Sequence, residues 1–310
     1  MTSTHTSPPA AGQLTPNRAT RVELPAPHGP VVALAALPTG ADLGATVLLL
    51  PGYTGSKEDF APLVDPLLDA GLGVVAVDLP GQYESGGPDD ESAYLPAALG
   101  PVVAGLVTRL QPRRVVLLGH SFGGLVARSA VLRGAAVSGL VLLCSGPGEL
   151  PPGQRRTMLE LGEPVMRHHG IEAAQRLREQ AQAADAQSVP PPELAAFHRA
   201  RFLESLPSSL LGMGHALRTE PDRVDELAPA LAGASIPCLI ACGETDDAWP
   251  VAVQRRMADR LGAPFATIPA AGHSPNVENP AGLLELLIPT VHAWLRAADP
   301  GPDPRPYRTF

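Results

Sequence analysis

Gly119-His120-Ser121-Phe122-Gly123 sets a serine between two glycines, each one residue removed from it. A serine hydroxyl is a weak nucleophile at neutral pH until a base takes its proton. It becomes accessible to a base and a substrate when a sharp turn lifts it clear of its neighbours. The surroundings suit such a turn. Residues 114–118 form a short apolar run, and residues 122–133 read as a helix. Strand, sharp turn and helix raise a serine above the edge of a sheet, and small neighbours let the turn pack tightly. Ser121 also stands at a helix N-terminus, where the dipole favours negative charge. A plain N-cap serine would sit in the same place. The two readings part on whether a base and a carboxylate reach the hydroxyl.

The elements that would position such a group follow from the apolar pattern. Short, fully apolar runs at 46–50, 73–77, 114–118, 139–144 and 238–242 stop at Gly, Pro or Asp. Runs without polar alternation suit strands of a parallel sheet buried on both faces. Helical segments at 61–70, 93–110 and 122–133 lie between them, which predicts an α/β sheet with right-handed crossovers. Segments 21–24 and 31–37 flank Pro-Ala-Pro-His-Gly-Pro and read as an antiparallel hairpin on the sheet edge, where proline is tolerated. The rhythm changes after Cys144. Residues 146–234 show no strand and divide into helices at 154–169, 171–187, 193–206 and 208–220. Strand signals return at 236–242 and 265–268, before a last helix at 281–298. The expected organisation is a core of residues 21–145 and 235–298, interrupted by a helical lid at 146–234. A flexible tail at 1–20 and a Pro-rich tail at 299–310 complete it.

Taken together, these residues resemble the α/β-hydrolase superfamily over roughly residues 22–295. In that family the nucleophile elbow is followed along the chain by an acid and then a histidine. Gly243-Glu244-Thr245-Asp246-Asp247-Ala248-Trp249-Pro250 is similar to the family's G-x-x-D-x-x-x-P turn and puts Asp246 at the acid position, with Asp247 as its rival. His273, in Ala270-Ala271-Gly272-His273-Ser274-Pro275, follows the last strand. It alone of nine histidines falls on a loop at the carboxyl edge of a sheet strand, where open α/β sheets bind ligands. His120 is expected to point away if Ser121 points up. The resemblance implies that His273 acts as the base and that Asp246 fixes its tautomer and stabilises the imidazolium. It also implies an oxyanion hole from the backbone N–H groups of Phe122 and Tyr53, the latter on Leu50-Pro51-Gly52-Tyr53-Thr54-Gly55. The loop starts Pro51-Gly52 where His-Gly is common. Tyr83 stands where the family's D-x-x-G-x-G-x-S turn has glycine.

Composition narrows the function. The chain has 310 residues, 45% apolar, 17% charged and only 4% aromatic, with 36 prolines. Four of the few aromatics, Tyr53, Tyr83, Phe122 and Trp249, fall on loops expected to meet at Ser121. Gly52, Tyr83 and Trp249 are therefore expected to line the substrate pocket. Met158, Leu159, Met166, Leu177, Leu203, Leu210 and Met213 are expected to form mainly the core of the lid. A net charge of −8 argues against a nucleic-acid backbone as partner. No run reaches the ~18 apolar residues of a membrane span, and the polar start lacks the pattern of a secretory signal. Cys144, Cys238 and Cys242 read as buried free thiols, which fits a reducing cytoplasm. Cys238 and Cys242 lie about 13 Å apart along a strand, too far for a disulfide. No metal or cofactor motif occurs. The expected activity is hydrolysis of an ester, thioester or lactone of a small to medium apolar acyl group through an acyl-enzyme. C–C bond hydrolysis, acyl transfer to another acceptor and a non-catalytic binding module are the alternatives. A homodimer stays open as an assembly state.

Overall fold

A computed structural model describes residues 12–183 and 190–297. The strands are β1 (Thr20–Leu24), β2 (Val31–Ala36), β3 (Ala45–Leu50), β4 (Gly73–Val77), β5 (Arg114–His120), β6 (Gly139–Leu143), β7 (Cys238–Gly243) and β8 (Phe265–Ile268). They form one eight-stranded sheet in the order β1-β2-β4-β3-β5-β6-β7-β8. β1 and β2 pair antiparallel, and β2 joins β4 antiparallel. From β4 to β8 all pairs are parallel. This is the expected α/β-hydrolase architecture, edge hairpin included.

The unbroken apolar runs follow from two covered faces. Leu48, Leu50, Val75, Val77 and Leu117 enter one core, while their neighbours Val47, Leu49, Val74, Ala76 and Leu118 enter the other. Side chains alternate along a strand, so both faces need apolar residues. Helices α1 (Ala61–Asp69) and α10 (Pro280–Ala297) cover one face. Helices α2 (Pro96–Arg109), α3 (Phe122–Leu132), α7 (Val224–Gly233) and α8 (Val251–Leu261) cover the other. All three cysteines are buried and free.

Between β6 and β7 the chain forms α4 (Gln154–Ala183), interrupted at Gly170 (φ 81°, ψ 176°), α5 (Pro192–Glu204) and α6 (Pro207–Thr219). These three share a small core of Met166, Ala174, Phe202 and Leu210. The boundary expected at residue 234 falls earlier. Val224, Leu227 and Leu231 of α7 join the main core, so that helix belongs to the sheet's outer layer. The expected tail at 1–20 also differs within its described part. Gln13 is buried, donates to Asp59 at 2.6 Å and meets His198 of α5 at 2.8 Å. Arg18 pairs with Asp65 and Asp69. Residues 1–11, the Pro-rich tail at 299–310 and the end of the helix expected at 171–187 lie outside the described residues. None of the described helices is long and apolar enough to cross a membrane.

The β5–α3 junction depends on the absence of side chains. A Cβ on Gly119 would collide with the carbonyl oxygen of Gly123 and lie 2.6 Å from Cα of Gly124, both fixed backbone. Gly119→Ala should therefore lower stability by about 1–3 kcal/mol. Thermal denaturation checks this, and an unchanged Tm would show that the junction can widen.

Candidate active site

Ser121 follows β5 and precedes α3, with φ 54° and ψ −120°. A left-handed φ at a residue with a side chain costs on the order of 1–3 kcal/mol and persists only when the surroundings fix it. Here its N–H donates to Leu143 of β6 at 2.9 Å, and its carbonyl accepts from Gly124 at 2.9 Å. The sharp turn leaves the hydroxyl free to meet His273.

Three loops converge on that hydroxyl. His273, just before α9 (Pro275–Glu278), has its Nε2 at 2.9 Å from Ser121 Oγ. Its Nδ1 lies 2.8 Å from Oδ1 of Asp246, on the loop after β7. All three residues are 7% exposed. Burial alone would raise the pKa of Asp246. Hydrogen bonds from His273, the Ala248 N–H (2.9 Å) and the Gln254 amide (2.7 Å) outweigh it, so the net direction is down. An ionised carboxylate only accepts. His273 Nδ1 therefore carries the proton and donates it, and Nε2 is left to accept from the serine hydroxyl. Asp247, the rival acid, is exposed and paired with Arg155 at 2.8 Å.

The two N–H groups expected to form an oxyanion hole make no hydrogen bond with the described residues. Phe122 is the first residue of α3, so its N–H has no partner within the helix, and it donates to no described group. The N–H of Tyr53 also lacks an acceptor among the described residues. The side chain of Gln82 holds the Tyr53 loop from behind, donating to the carbonyls of Gly52 (2.7 Å) and Tyr53 (3.1 Å). Gly52 approaches so closely that a Cβ would sit 3.2 Å from Ser121 Cβ.

A cavity of about 680 Å³ opens above the serine, a volume suited to a small-molecule ligand. Gly52, Tyr53, Ser121 and His273 line its base. Met158, Leu159, Met166, Leu177 and Leu210 line it from α4 and α6; Met166 and Leu210 belong at the same time to the small core these helices share. Leu203 and Met213 do not line it. Two of the three expected pocket residues also lie elsewhere. Tyr83 lies against α5, its ring edge-on to Phe197 at 6.0 Å and 4.6 Å from Lys57 Nζ. Its φ of 41° explains why glycine is usual there. Trp249, 1% exposed, donates to the Glu149 carbonyl at 3.1 Å and stands behind His273 at a ring distance of 6.4 Å.

His120, Gln82, Gln254 and Gln13 are neighbours of the site that the sequence reading missed. Strand alternation turned His120 away, but the turn at Ser121 breaks that alternation. Its Nε2–H donates to the carbonyl of His273 at 2.7 Å. Gln254 stands in the first turn of α8, and the helix start after Pro250 was its signal. Gln82 and Gln13 donate to partners about 30 residues or more away in the chain, which local pattern does not show.

Donor atoms of His120, Cys144 and His273 lie close together, as do those of Asp246, Asp247 and His273. Both groups share His273, whose two ring nitrogens already meet Asp246 and Ser121. Burial pushes the Cys144 thiol well up, so it is held as a neutral thiol. These hydrogen bonds account for the grouping without an ion.

Burial, with the neighbouring His273, pushes His120 down from 6.5 to about 4. The folded state holds it neutral, whereas the unfolded chain protonates it near pH 6.5. Its contribution is full above that pH and is lost as pH falls through about 4, a change of roughly 3 kcal/mol. Urea denaturation between pH 7 and pH 4 should show a steeper stability loss in wild type than in His120→Gln. Parallel curves would refute the assignment.

Residues 47–286 match the alpha/beta hydrolase family. The chain is 28% identical over 254 residues to a Bacillus subtilis (strain 168) protein provisionally named a 2-succinyl-6-hydroxy-2,4-cyclohexadiene-1-carboxylate synthase. That match covers 78% of this chain and 88% of the relative. It is 30% identical over 246 residues to the pimeloyl-[acyl-carrier protein] methyl ester esterase of Edwardsiella ictaluri (strain 93-146), covering 76% and 88% respectively. Among solved structures, a thermophilic esterase from Thermogutta terrifontis superposes with a TM-score of 0.65 at 23% identity, over 90% of this chain and 99% of that one. With match, relatives and fold in agreement, the chain belongs to the alpha/beta hydrolase family and is an ester-hydrolase-like enzyme.

Proposed function

We propose that this chain is a serine hydrolase that cleaves a carboxylic ester, thioester or lactone through an acyl-enzyme on Ser121. The observation that carries the reading is the unbroken line Ser121–His273–Asp246, at 2.9 and 2.8 Å, on a strained turn beneath a cavity. Ser121 Oγ attacks the acyl carbonyl while His273 Nε2 takes its proton. The N–H groups of Phe122 and Tyr53 hold the negative oxygen of the tetrahedral intermediate. The intermediate collapses, the C–O or C–S bond breaks, and His273 returns the proton to the leaving group. Water, deprotonated by the same imidazole, then attacks the acyl-enzyme and frees the acid and the serine. Asp246 holds the imidazole in the required tautomer throughout. The helices from Gln154 to Thr219 act as a lid that shapes the acyl site. The Edwardsiella ictaluri relative is named for methyl ester hydrolysis, which supports an ester as the bond cleaved.

A fluorophosphonate probe should label wild type and leave Ser121→Ala unmodified. Asp246→Asn should lower kcat on a p-nitrophenyl acyl ester by about 10⁴-fold, because the imidazole then favours the wrong tautomer. A wild type that neither labels nor turns over any such ester across short and medium acyl chains would overturn the reading. Mass spectrometry of products formed with and without an added alcohol separates hydrolysis from acyl transfer.

A further inference from the structure

The cavity above Ser121 contains four arginines, and three are already neutralised. Arg155 pairs with Asp247 at 2.8 Å, Arg201 with Asp59 at 2.6 Å, and Arg218 with Glu163 at a very short contact. The remaining acid of the lining, Glu278, lies at the rim and accepts the N–H groups of Gly272 and Ser274.

Arg178, on α4, is different. Its guanidinium makes no hydrogen bond or ion pair with any described residue, and its Nη1 is buried without a partner. The guanidinium lies 4.2 Å from the ring centroid of Phe202. Stacking orients that plane but fills none of its N–H donors. Burial lowers its pKa to about 10, which still leaves it cationic at neutral pH. The nearby acid Glu179 is taken by Arg199 at 2.6 Å and Gln175 at 3.0 Å. Tyr53 is close enough for its phenol to feel Arg178, and its hydroxyl has no partner among the described residues. Burial pushes that phenol up to about 12, so it stays protonated and able to donate.

A guanidinium with a buried N–H donor and no acceptor is costly unless something brings one. An apolar acyl chain alone would leave it unmatched. A planar carboxylate offers two acceptors in the geometry of the guanidinium fork. The apolar side chains Met158, Leu159, Leu177 and Leu210 could cover a hydrocarbon spacer between that end and the serine. We propose that Arg178, aided by the Tyr53 hydroxyl, binds a carboxylate at the far end of the substrate's acyl chain, so that the enzyme selects monoesters of dicarboxylic acids over esters of plain fatty acids. This inference rests on the serine hydrolase reading and specifies its substrate class.

The test compares p-nitrophenyl monoesters of glutarate, adipate and suberate with p-nitrophenyl esters of the monoacids of equal carbon number. In wild type, at least one carboxylated ester should exceed its neutral partner by about tenfold or more in kcat/KM. Arg178→Gln should reduce that ratio to near one, chiefly through KM. Arg178→Lys, which keeps the charge, should retain part of it. Arg176→Gln, an exposed neighbour on the same helix, should leave the ratio as in wild type. The free dianion of the preferred diacid should also inhibit wild-type hydrolysis of the neutral ester competitively, and more strongly than the monoacid does. That arm needs no variant to fold. The proposal is overturned if wild type hydrolyses the neutral esters yet prefers none of the carboxylated ones. It is equally overturned if Arg178→Gln slows both series alike. A wild type that hydrolyses neither series and resists the fluorophosphonate probe defeats the hydrolase reading itself, a distinct outcome.

Discussion

Ser121 holds a left-handed backbone conformation that its side chain disfavours, and much of the molecule serves to keep it there. β5 and β6 hold its N–H from one side, through the Leu143 carbonyl. α3 begins at once on the other side, and the Gly124 N–H caps the turn onto the Ser121 carbonyl. Such a turn is tight enough that Gly119 and Gly123 touch backbone where any Cβ would collide. Gly123 also brings the turn against the carbonyls of Leu50 and Pro51, at the end of β3. The loop carrying Tyr53 is thus pressed against the loop carrying the serine. One strained dihedral sets the hydroxyl, the first N–H of α3 and the neighbouring loop in a common space.

The electrostatics of the site follow from burying two histidines beside one carboxylate. Only one of the histidines can share the negative charge. Asp246 sits on Nδ1 of His273 and is kept ionised by three donors, so His273 can accept a proton at Nε2 beside a compensating charge. His120 lies 5.1 Å away ring to ring, has no carboxylate bonded to it, and is kept neutral by burial. A charged His120 would repel a developing imidazolium on His273. As a neutral donor it instead holds the His273 carbonyl and hence the loop that carries His273. The two imidazoles therefore have separate work, set by which of them meets Asp246.

The sheet was legible in the sequence because it is covered on both faces. Each central strand wrote its position as an apolar run, and every one of these runs lies in a strand within two residues of the expected end. Ser121, Asp246 and His273 were legible because each stands on a loop directly after a strand, so the order of strands orders the loops. The pocket wall was not. Tyr83 and Trp249 belong to loops near the site, but loop membership does not fix side-chain direction. Tyr83 is held beside Lys57 and Phe197, away from the cavity, and Trp249 is drawn behind His273 by the Glu149 carbonyl. The break at Gly170 could be read from composition, whereas the docking of α7 onto the main core could not. Helical periodicity gives a helix its apolar face but leaves open which surface that face meets.

The same distinction explains why the acyl site resists a reading from local pattern. Its wall is held by contacts between distant segments. Asp59 alone gathers Gln13 from before β1, Arg201 from α5 and the Ser56 N–H of its own loop onto its carboxylate, while its carbonyl takes Asn276 of α9. Those partners lie up to 217 residues from Asp59 in the chain. A buried carboxylate with a bonded guanidinium tolerates removal of either partner poorly, so the cluster fixes α5 relative to the sheet. With Arg201 committed to Asp59 and Arg218 to Glu163, Arg178 is the arginine of the wall that meets no carboxylate among the described residues. Chemical selectivity in such a cavity is set less by its apolar area than by a charged donor left without a partner. An apolar wall accepts many acyl chains with small differences in affinity, whereas a buried donor discriminates strongly against any ligand that cannot meet it. The pairing of the other arginines is therefore what gives Arg178 its leverage over the substrate.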